Sequence, residues 1–186
     1  MEAYVMKFAD IPQFLTNKAK YHVDVGFKYL DSTIQNYIKE YGLILDPPFQ
    51  RGHVWTQAQQ EAYVIHLLRG GLSGKDLYFN CPSWHGKALT DYDEFVCVDG
   101  LQRITAIRKF IQNKLKIFGY YYGEFEDEPR HITTSLRIHI NDLQYEKDVL
   151  RWYIEMNTGG TPHTPEEINK VRKMIEELDD FGGAHS

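Results

Sequence analysis

The chain has 186 residues, of which 42% are hydrophobic and 14% aromatic, and its formal net charge at pH 7 is -5. This composition predicts a globular domain and excludes a disordered chain, and the acidic balance excludes an overall basic surface for nonspecific nucleic-acid binding. No apolar run approaches membrane-spanning length, nothing resembles a signal peptide, and two cysteines are too few for a disulfide framework. We therefore expect a cytoplasmic protein with no membrane partner.

The first third of the chain predicts an arm followed by a helix. Residues 1–27 lack a clean periodicity, and we interpret them as an amino-terminal arm that packs on the domain. The spacing of Ile34, Tyr37 and Ile38 then predicts a short helix with one apolar face. Gly42 is a suitable residue to end it.

A proline-led loop comes next. Residues 43–45 are typical of a strand, and they lead into residues 46–52, where two consecutive prolines favour a rigid, extended loop. This loop displays Gln50 and Arg51 on a stiff backbone, as a binding site requires. Taken alone, Arg51 is better explained as a charge that keeps the loop solvated.

The middle of the chain predicts a second helix and a brief strand. Thr56 is placed to cap a helix that ends before the Gly-Gly pair at 70–71. Residues 77–79 are typical of a strand, and residues 81–93 of a connecting loop. His66 has no second ligand at metal-binding spacing, so we interpret it as structural.

The most informative stretch lies at residues 95–107. Residues 95–98 form a short apolar run typical of a buried strand, and apolar residues recur with helical spacing from Leu101 onward. The strand–helix junction therefore carries Asp99, Gly100 and Arg103. A helix amino terminus suits an anion such as phosphate, Arg103 can bind phosphate oxygens, and Asp99 can hold a metal ion or a water. The same residues also fit a simple turn and helix cap with an exposed arginine.

The remaining elements complete an α+β pattern. Residues 135–140 alternate apolar and polar side chains as a half-buried strand does, which predicts His139 on the solvent face. The others are a strand at 115–122, a helix at 146–156, a glycine-rich turn at 157–161, a last helix at 165–178 and a flexible tail at 179–186. With no long linker and no repeat, we expect one domain at residues 28–178.

Three segments occur together in a specific order. They are Pro-Phe-Gln-Arg at 48–51, Asp-Gly-Leu-Gln-Arg at 99–103, and Asn-Thr-Gly-Gly-Thr-Pro at 157–162. In this combination the chain resembles the amino-terminal domain of GmrSD-type, modification-dependent restriction systems, within the ParB/sulfiredoxin-like superfamily. The resemblance implies a single domain with a small mixed sheet flanked by helices, and it extends over residues 28–178.

The resemblance also implies a nucleotide site. In the family the motif Asp-Gly-Gln-Gln-Arg is associated with binding and hydrolysis of nucleoside triphosphates with Mg²⁺ or another divalent cation. Here Leu101 replaces the first Gln, which is harmless if its side chain points inward. The implied catalytic residues are Asp99, Gln102 and Arg103, with Asp99 also the metal ligand; the implied nucleotide-binding residues are Gln50, Arg51, Gly100, Leu101, Thr105, Asn157, Gly159 and Gly160.

Two other functions stay open. The chain could be a non-catalytic nucleotide- or DNA-binding adaptor or decoy, because no nuclease motif of the family's full-length members is present in this sequence. It could also be a metal-dependent DNA nickase that uses Asp99. The implied partners are a nucleoside triphosphate, DNA and a separate nuclease subunit, and an oligomer is compatible with the sequence. For the catalytic hypothesis we expect Arg103→Ala to remove turnover and to leave the Tm almost unchanged.

Overall fold

The computed structural model describes residues 20–127, 131–157 and 164–182, together with Ile11 and Leu15. Within this part, four strands and five helices form an α+β fold, which confirms the predicted fold class. The elements are β1 (Tyr21–Gly26), α1 (Leu30–Tyr41), α2 (Gln57–Leu68), β2 (Asp76–Asn80), β3 (Val96–Asp99), α3 (Leu101–Ile111), β4 (Ser135–Asn141), α4 (Glu146–Asn157) and α5 (Pro165–Gly182). None of these helices is both long and apolar enough to cross a membrane.

The strands form one mixed sheet in the order β1-β4-β2-β3. The central pair, β4 and β2, is parallel, and the two outer pairs are antiparallel. The edge strand β1 corrects the prediction that the first 27 residues form only an arm. Its alternation of Tyr21, Val23 and Val25 is a strand pattern, and pairing with β4 together with packing on the core stabilises it.

The core lies on both faces of the sheet. On one face, apolar side chains of β2 and β4 pack against α1, α2 and α3, and Phe79, Ile138 and Ile104 are fully buried there. On the other face, Val96 and Val98 of β3 pack against α4 and α5. The helix α3 therefore packs against the sheet directly after the strand that precedes it, which fixes the position of the 99–103 junction.

Two predicted strands are wrong. Residues 43–45 contribute only a single bridge, between Ile44 and Val96. Residues 115–122 reverse direction in a tight turn, in which Ile117 and Tyr120 exchange backbone hydrogen bonds of 2.8 and 3.1 Å. The aromatic run has the propensity of a strand, but a turn at its centre leaves too few residues on either side.

The predicted helix caps are partly confirmed. Thr56 forms the expected capping box with Gln59 at the start of α2, and Gly42 ends α1 in the left-handed conformation, with φ of 70°. His139 was predicted to lie on the solvent face of its strand. Its side chain is only 18% exposed, because the ring stacks on Tyr78 with 4.6 Å between the ring centroids.

Candidate functional site

A cleft of about 340 Å³ lies where the proline-led loop meets the amino terminus of α3. Arg51 of the loop lines it, as do Asp99, Gly100 and Arg103 of the β3–α3 junction. The two arginines come from segments about 50 residues apart in the sequence, yet they border one space. A single anionic ligand can therefore contact both.

Gly100 is required by the backbone at this junction. Its φ is 127°, a conformation that side chains disfavour, and a Cβ atom there would lie 2.7 Å from Cδ2 of Leu77. It is the N-cap of α3 and supplies no side-chain hydrogen bond to the helix. Leu101, Gln102 and Arg103 of the first turn of α3 line the cleft, and the amino terminus of a helix suits an anion.

Arg103 is held in place by its neighbours. Its guanidinium pairs with the Asp99 carboxylate, one helical turn earlier, and donates to the carbonyl oxygen of Asp76 at 2.8 Å. Burial alone would lower the pKa of Arg103, but the Asp99 carboxylate outweighs it and raises the pKa above the ordinary value. With 17% of the side chain exposed, Arg103 is part of the folded framework as well as of the cleft wall. This changes the expectation that its removal leaves stability untouched.

The two glutamines of the motifs fasten the loop to the junction. The Gln102 Oε1 atom accepts hydrogen bonds from the backbone N–H groups of Val54 and Trp55 at 3.0 and 3.1 Å, and its Nε2 atom donates to Gly52 at 2.7 Å. Gln50 Nε2 donates to the carbonyl oxygen of Cys97, at 2.6 Å. Their predicted contact with water or nucleotide stays a prediction, since the structure uses both amides to position the loop.

Arg51 is held less tightly than Arg103. Its nearest carboxylate is Glu167 of α5, at 3.7 Å, and 22% of its side chain is exposed. The same helix also contacts the loop through Lys170 Nζ, which donates to the carbonyl oxygen of Pro48 at 2.7 Å. A ligand phosphate could replace Glu167 as the partner of Arg51 at little cost, because a long, partly exposed ion pair is weak.

The other predicted site residues are distributed unevenly. Leu101 lines the cleft but is only 7% exposed, so it points largely inward, as its helical position predicts. The Thr105 hydroxyl donates to the Leu101 carbonyl oxygen at 2.7 Å, within α3 and away from the cleft lining. Asn157 lines the cleft at the end of α4. Gly159 and Gly160 lie outside the described residues.

Aromatic side chains form part of the cleft wall, and the sequence did not predict them there. Trp55, Tyr63 and Tyr153 line it, and burial raises the pKa of Tyr153 to about 12 and that of Tyr63 further. Both phenols are therefore protonated at neutral pH, and the Tyr63 hydroxyl donates to the carbonyl oxygen of Gly74 at 2.7 Å. Trp55 follows the Gln-Arg segment closely and was detectable, whereas tyrosines on amphipathic helices resemble ordinary core residues.

The described protein groups supply only part of the ligand set that the predicted metal site needs. The described residues contain no group of three His, Cys, Asp or Glu side chains that could hold a metal ion. Asp99 is the one carboxylate that lines the described part of the cleft, and Arg103 occupies one of its oxygens. Mg²⁺ is often held by one carboxylate together with ligand phosphates. Asp99 fits a Mg²⁺ that arrives with a triphosphate and does not fit an ion held by the protein alone.

The fold and the cleft define an α+β domain in which two arginines line a cleft at a strand–helix junction. Comparison with protein families matches residues 30–137 to the family described as GmrSD restriction endonuclease, N-terminal domain. Because this match covers more than half of the chain, the chain belongs to that family, as the resemblance predicted. The third segment of that resemblance, at 157–162, lies outside the matched residues. Searches of curated proteins and of solved structures returned no match. Membership of the ParB/sulfiredoxin-like superfamily stays a prediction.

Proposed function

We propose that this domain binds a nucleoside triphosphate in the cleft and hydrolyses it, as the sensor part of a DNA restriction system that defends against phage. The observation that carries the proposal is that Arg51 and Arg103 line one cleft together with the first turn of α3. The cleft volume of about 340 Å³ falls within the range of small-ligand pockets. The family name supports the link to restriction.

In this proposal the phosphates lie on the N–H groups at the start of α3. Arg51 exchanges Glu167 for a phosphate oxygen, while Arg103, held by Asp99, keeps a fixed orientation toward the ligand. Catalysis of phosphoryl transfer depends mainly on such positioning and charge stabilisation. A Mg²⁺ brought by the nucleotide would neutralise phosphate charge, with Asp99 as its protein ligand.

A thermal-shift titration with the four nucleoside triphosphates and Mg²⁺ tests binding. A ligand that binds the native state must raise its apparent stability, so at least one nucleotide should raise the Tm. Arg51→Ala should weaken that binding by about 1.5–3 kcal/mol, the contribution typical of a hydrogen bond to a charged group. Arg137→Ala is the matched control, because Arg137 of β4 pairs with Asp24 of the edge strand β1 and does not line the cleft. An equal shift in Arg51→Ala and in the unmodified chain would contradict the proposal.

A second candidate is a binding module that does not turn over its ligand. It is favoured by the engagement of Gln50, Gln102 and Asp99 with other protein groups, since a hydrolytic site must also orient a water. Measurement of phosphate release at saturating nucleotide separates the two candidates: a thermal shift without release identifies the module.

DNA and a nuclease subunit remain proposed partners on the strength of the family name alone. The nickase hypothesis has less support, because the described residues offer no three-ligand metal cluster. Plasmid nicking assayed with and without Mg²⁺ would detect it.

A further inference from the structure

A second cavity, of about 280 Å³, lies at the opposite end of α3 from the nucleotide cleft. Its inner wall is apolar, formed where the ends of α2 and α3 meet the segment before β4. The side chains that matter here are Leu67, Phe110 and Ile132 in the wall, and Phe118, Tyr122 and Phe125 around the opening.

Phe118 occupies a backbone conformation that its side chain disfavours. Its φ is 53° and that of the next residue, Gly119, is 87°, so both central residues of the turn are left-handed. Turns of this kind favour Asn, Asp and Gly. Asn113, which ends α3 with φ of 58°, follows that preference, whereas Phe118 violates it. Such violations concentrate at functional sites.

The Phe118 side chain gains little burial in return. It is 59% exposed, and Phe125 on the other side of the opening is 40% exposed. Two partly exposed rings at the mouth of an apolar cavity form a surface that a large apolar side chain can cover. Burial in the folded chain therefore does not explain an aromatic residue at position 118, whereas contact with an apolar ligand would explain it.

The rim beside Phe125 is acidic. Glu126 and Asp127 follow Phe125 directly, and both are exposed. The Asp127 carboxylate pairs with His131, at 2.8 Å, where both side chains are more than half exposed. Arg69, which follows the end of α2, borders a separate depression with His66. The described rim therefore complements a cation and repels phosphate.

We propose that this aromatic pocket, defined by Phe110, Phe118, Tyr122 and Phe125, binds a segment of a partner polypeptide that has a large apolar side chain flanked by Lys or Arg. The apolar anchor enters between Phe118 and Phe125, and its basic neighbours lie against Glu126 and Asp127. The pocket requires no nucleotide in the cleft, so the proposal does not depend on the proposed function.

Titration of the isotope-labelled chain with short capped peptides, followed by NMR amide shifts, tests this. The probes are acetyl-Lys-Leu-Phe-Lys-amide, the same peptide with Glu in place of Lys, and acetyl-Lys-Ser-Ser-Lys-amide. The basic apolar peptide should shift the amides of Gly119 and Thr133. It should bind at least about tenfold more tightly than acetyl-Lys-Ser-Ser-Lys-amide, the gain expected from burying part of an aromatic side chain. It should bind at least about threefold more tightly than the Glu peptide, because the rim is acidic.

Phe118→Asn separates binding from folding, because the two effects have opposite signs. Asn suits the left-handed turn, so the Tm should stay the same or rise by about 2–4 °C, while peptide affinity falls about tenfold. Leu89→Asn is the matched control: Leu89 is 83% exposed outside the pocket, and its replacement should leave affinity unchanged. Glu126→Lys should lower the affinity for the basic peptide about threefold and raise the affinity for the acidic peptide.

A fall in the Tm of Phe118→Asn would overturn the proposal, since Phe118 would then serve packing. Equal affinity for the basic and the acidic peptide would overturn it, as would amide shifts that map elsewhere. Tighter binding of a DNA duplex at this rim, or self-association lost in Phe118→Asn, would assign the pocket to a different occupant and refute a basic polypeptide partner.

Discussion

The two ends of α3 face different chemical surroundings. At its amino end the helix meets a polar cleft in which Arg103 and Gln102 are held by hydrogen bonds to other segments. At its carboxyl end, Phe110 forms the floor of an apolar cavity, and the anchor is the carboxylate of Asp31 on α1, which accepts from Arg108 and Gln112 at 2.7 and 2.9 Å.

This difference indicates how each end can serve binding. The amino end offers backbone N–H groups and fixed cations, so its ligand must supply negative charge. The carboxyl end offers exposed rings and carboxylates, so its ligand must supply apolar area and positive charge. The helix between them packs on the sheet through Ile104 and Ile107, which are fully buried. The following predictions test which contacts fix each end.

The largest effect is expected at the amino end, from Gly100→Ala. The substitution places a Cβ 2.7 Å from Leu77 Cδ2 and forces a side chain into a disfavoured φ of 127°, so we expect a loss of about 3 kcal/mol in urea denaturation. Gly42→Ala is the control, because its φ of 70° is also left-handed but no atom lies within 4 Å. It should cost only about 1 kcal/mol. Equal losses would mean that the contact with Leu77 is relieved by relaxation.

Next in size is Arg103→Ala, which should lower the free energy of unfolding by about 2 kcal/mol. It removes the partner of Asp99 and leaves the carbonyl oxygen of Asp76 without this donor. Arg51→Ala should cost less than about 1 kcal/mol, because its ion pair with Glu167 is long and partly exposed. Thermal denaturation of both variants measures the contrast. If Arg103→Ala proves as stable as Arg51→Ala, then Arg103 acts on ligands alone.

Gln102→Ala should have a smaller effect, of about 1–2 kcal/mol, since it removes three hydrogen bonds to the backbone of the loop. Hydrogen exchange should accelerate at the amides of Val54 and Trp55. Gln57→Ala, which removes only an exposed contact with Glu61, serves for comparison and should leave those amides unchanged. Unchanged exchange in Gln102→Ala would exclude a loop-holding role.

The smallest effect concerns the carboxyl end and depends on pH. Burial opposes ionisation of Asp31, but hydrogen bonds from Arg108, Gln112 and Gln35 outweigh it and lower the pKa below its ordinary value of 3.8. The stabilisation is therefore present above the unfolded-state pKa and is lost as pH falls through the lower folded-state value. Asp31→Asn should cost about 1 kcal/mol at pH 7, and this cost should shrink as the pH falls below the ordinary Asp31 pKa of 3.8. A difference that is independent of pH would contradict this assignment.

Several elements were predictable because their determinants are local. The strand–turn–helix at 95–107, the Thr56 cap and the alternation in β4 each depend on neighbouring residues, and all three were confirmed. The strand expected at 115–122 was wrong because β-propensity does not reveal a turn that a bulky Phe118 disfavours. The edge strand β1 was missed because its alternation was read together with the preceding residues, which lack a clean periodicity.

For the cleft, local residue order was enough to identify the helix amino terminus, Asp99 and Arg103, since all lie within one turn of each other. The proximity of Arg51, the engagement of Gln50 and Gln102 with backbone groups, and the walls from Tyr63 and Tyr153 depend on segments far apart in the chain. Contacts of that kind arise from how the helices pack on the sheet, and no period or motif within a single segment records them.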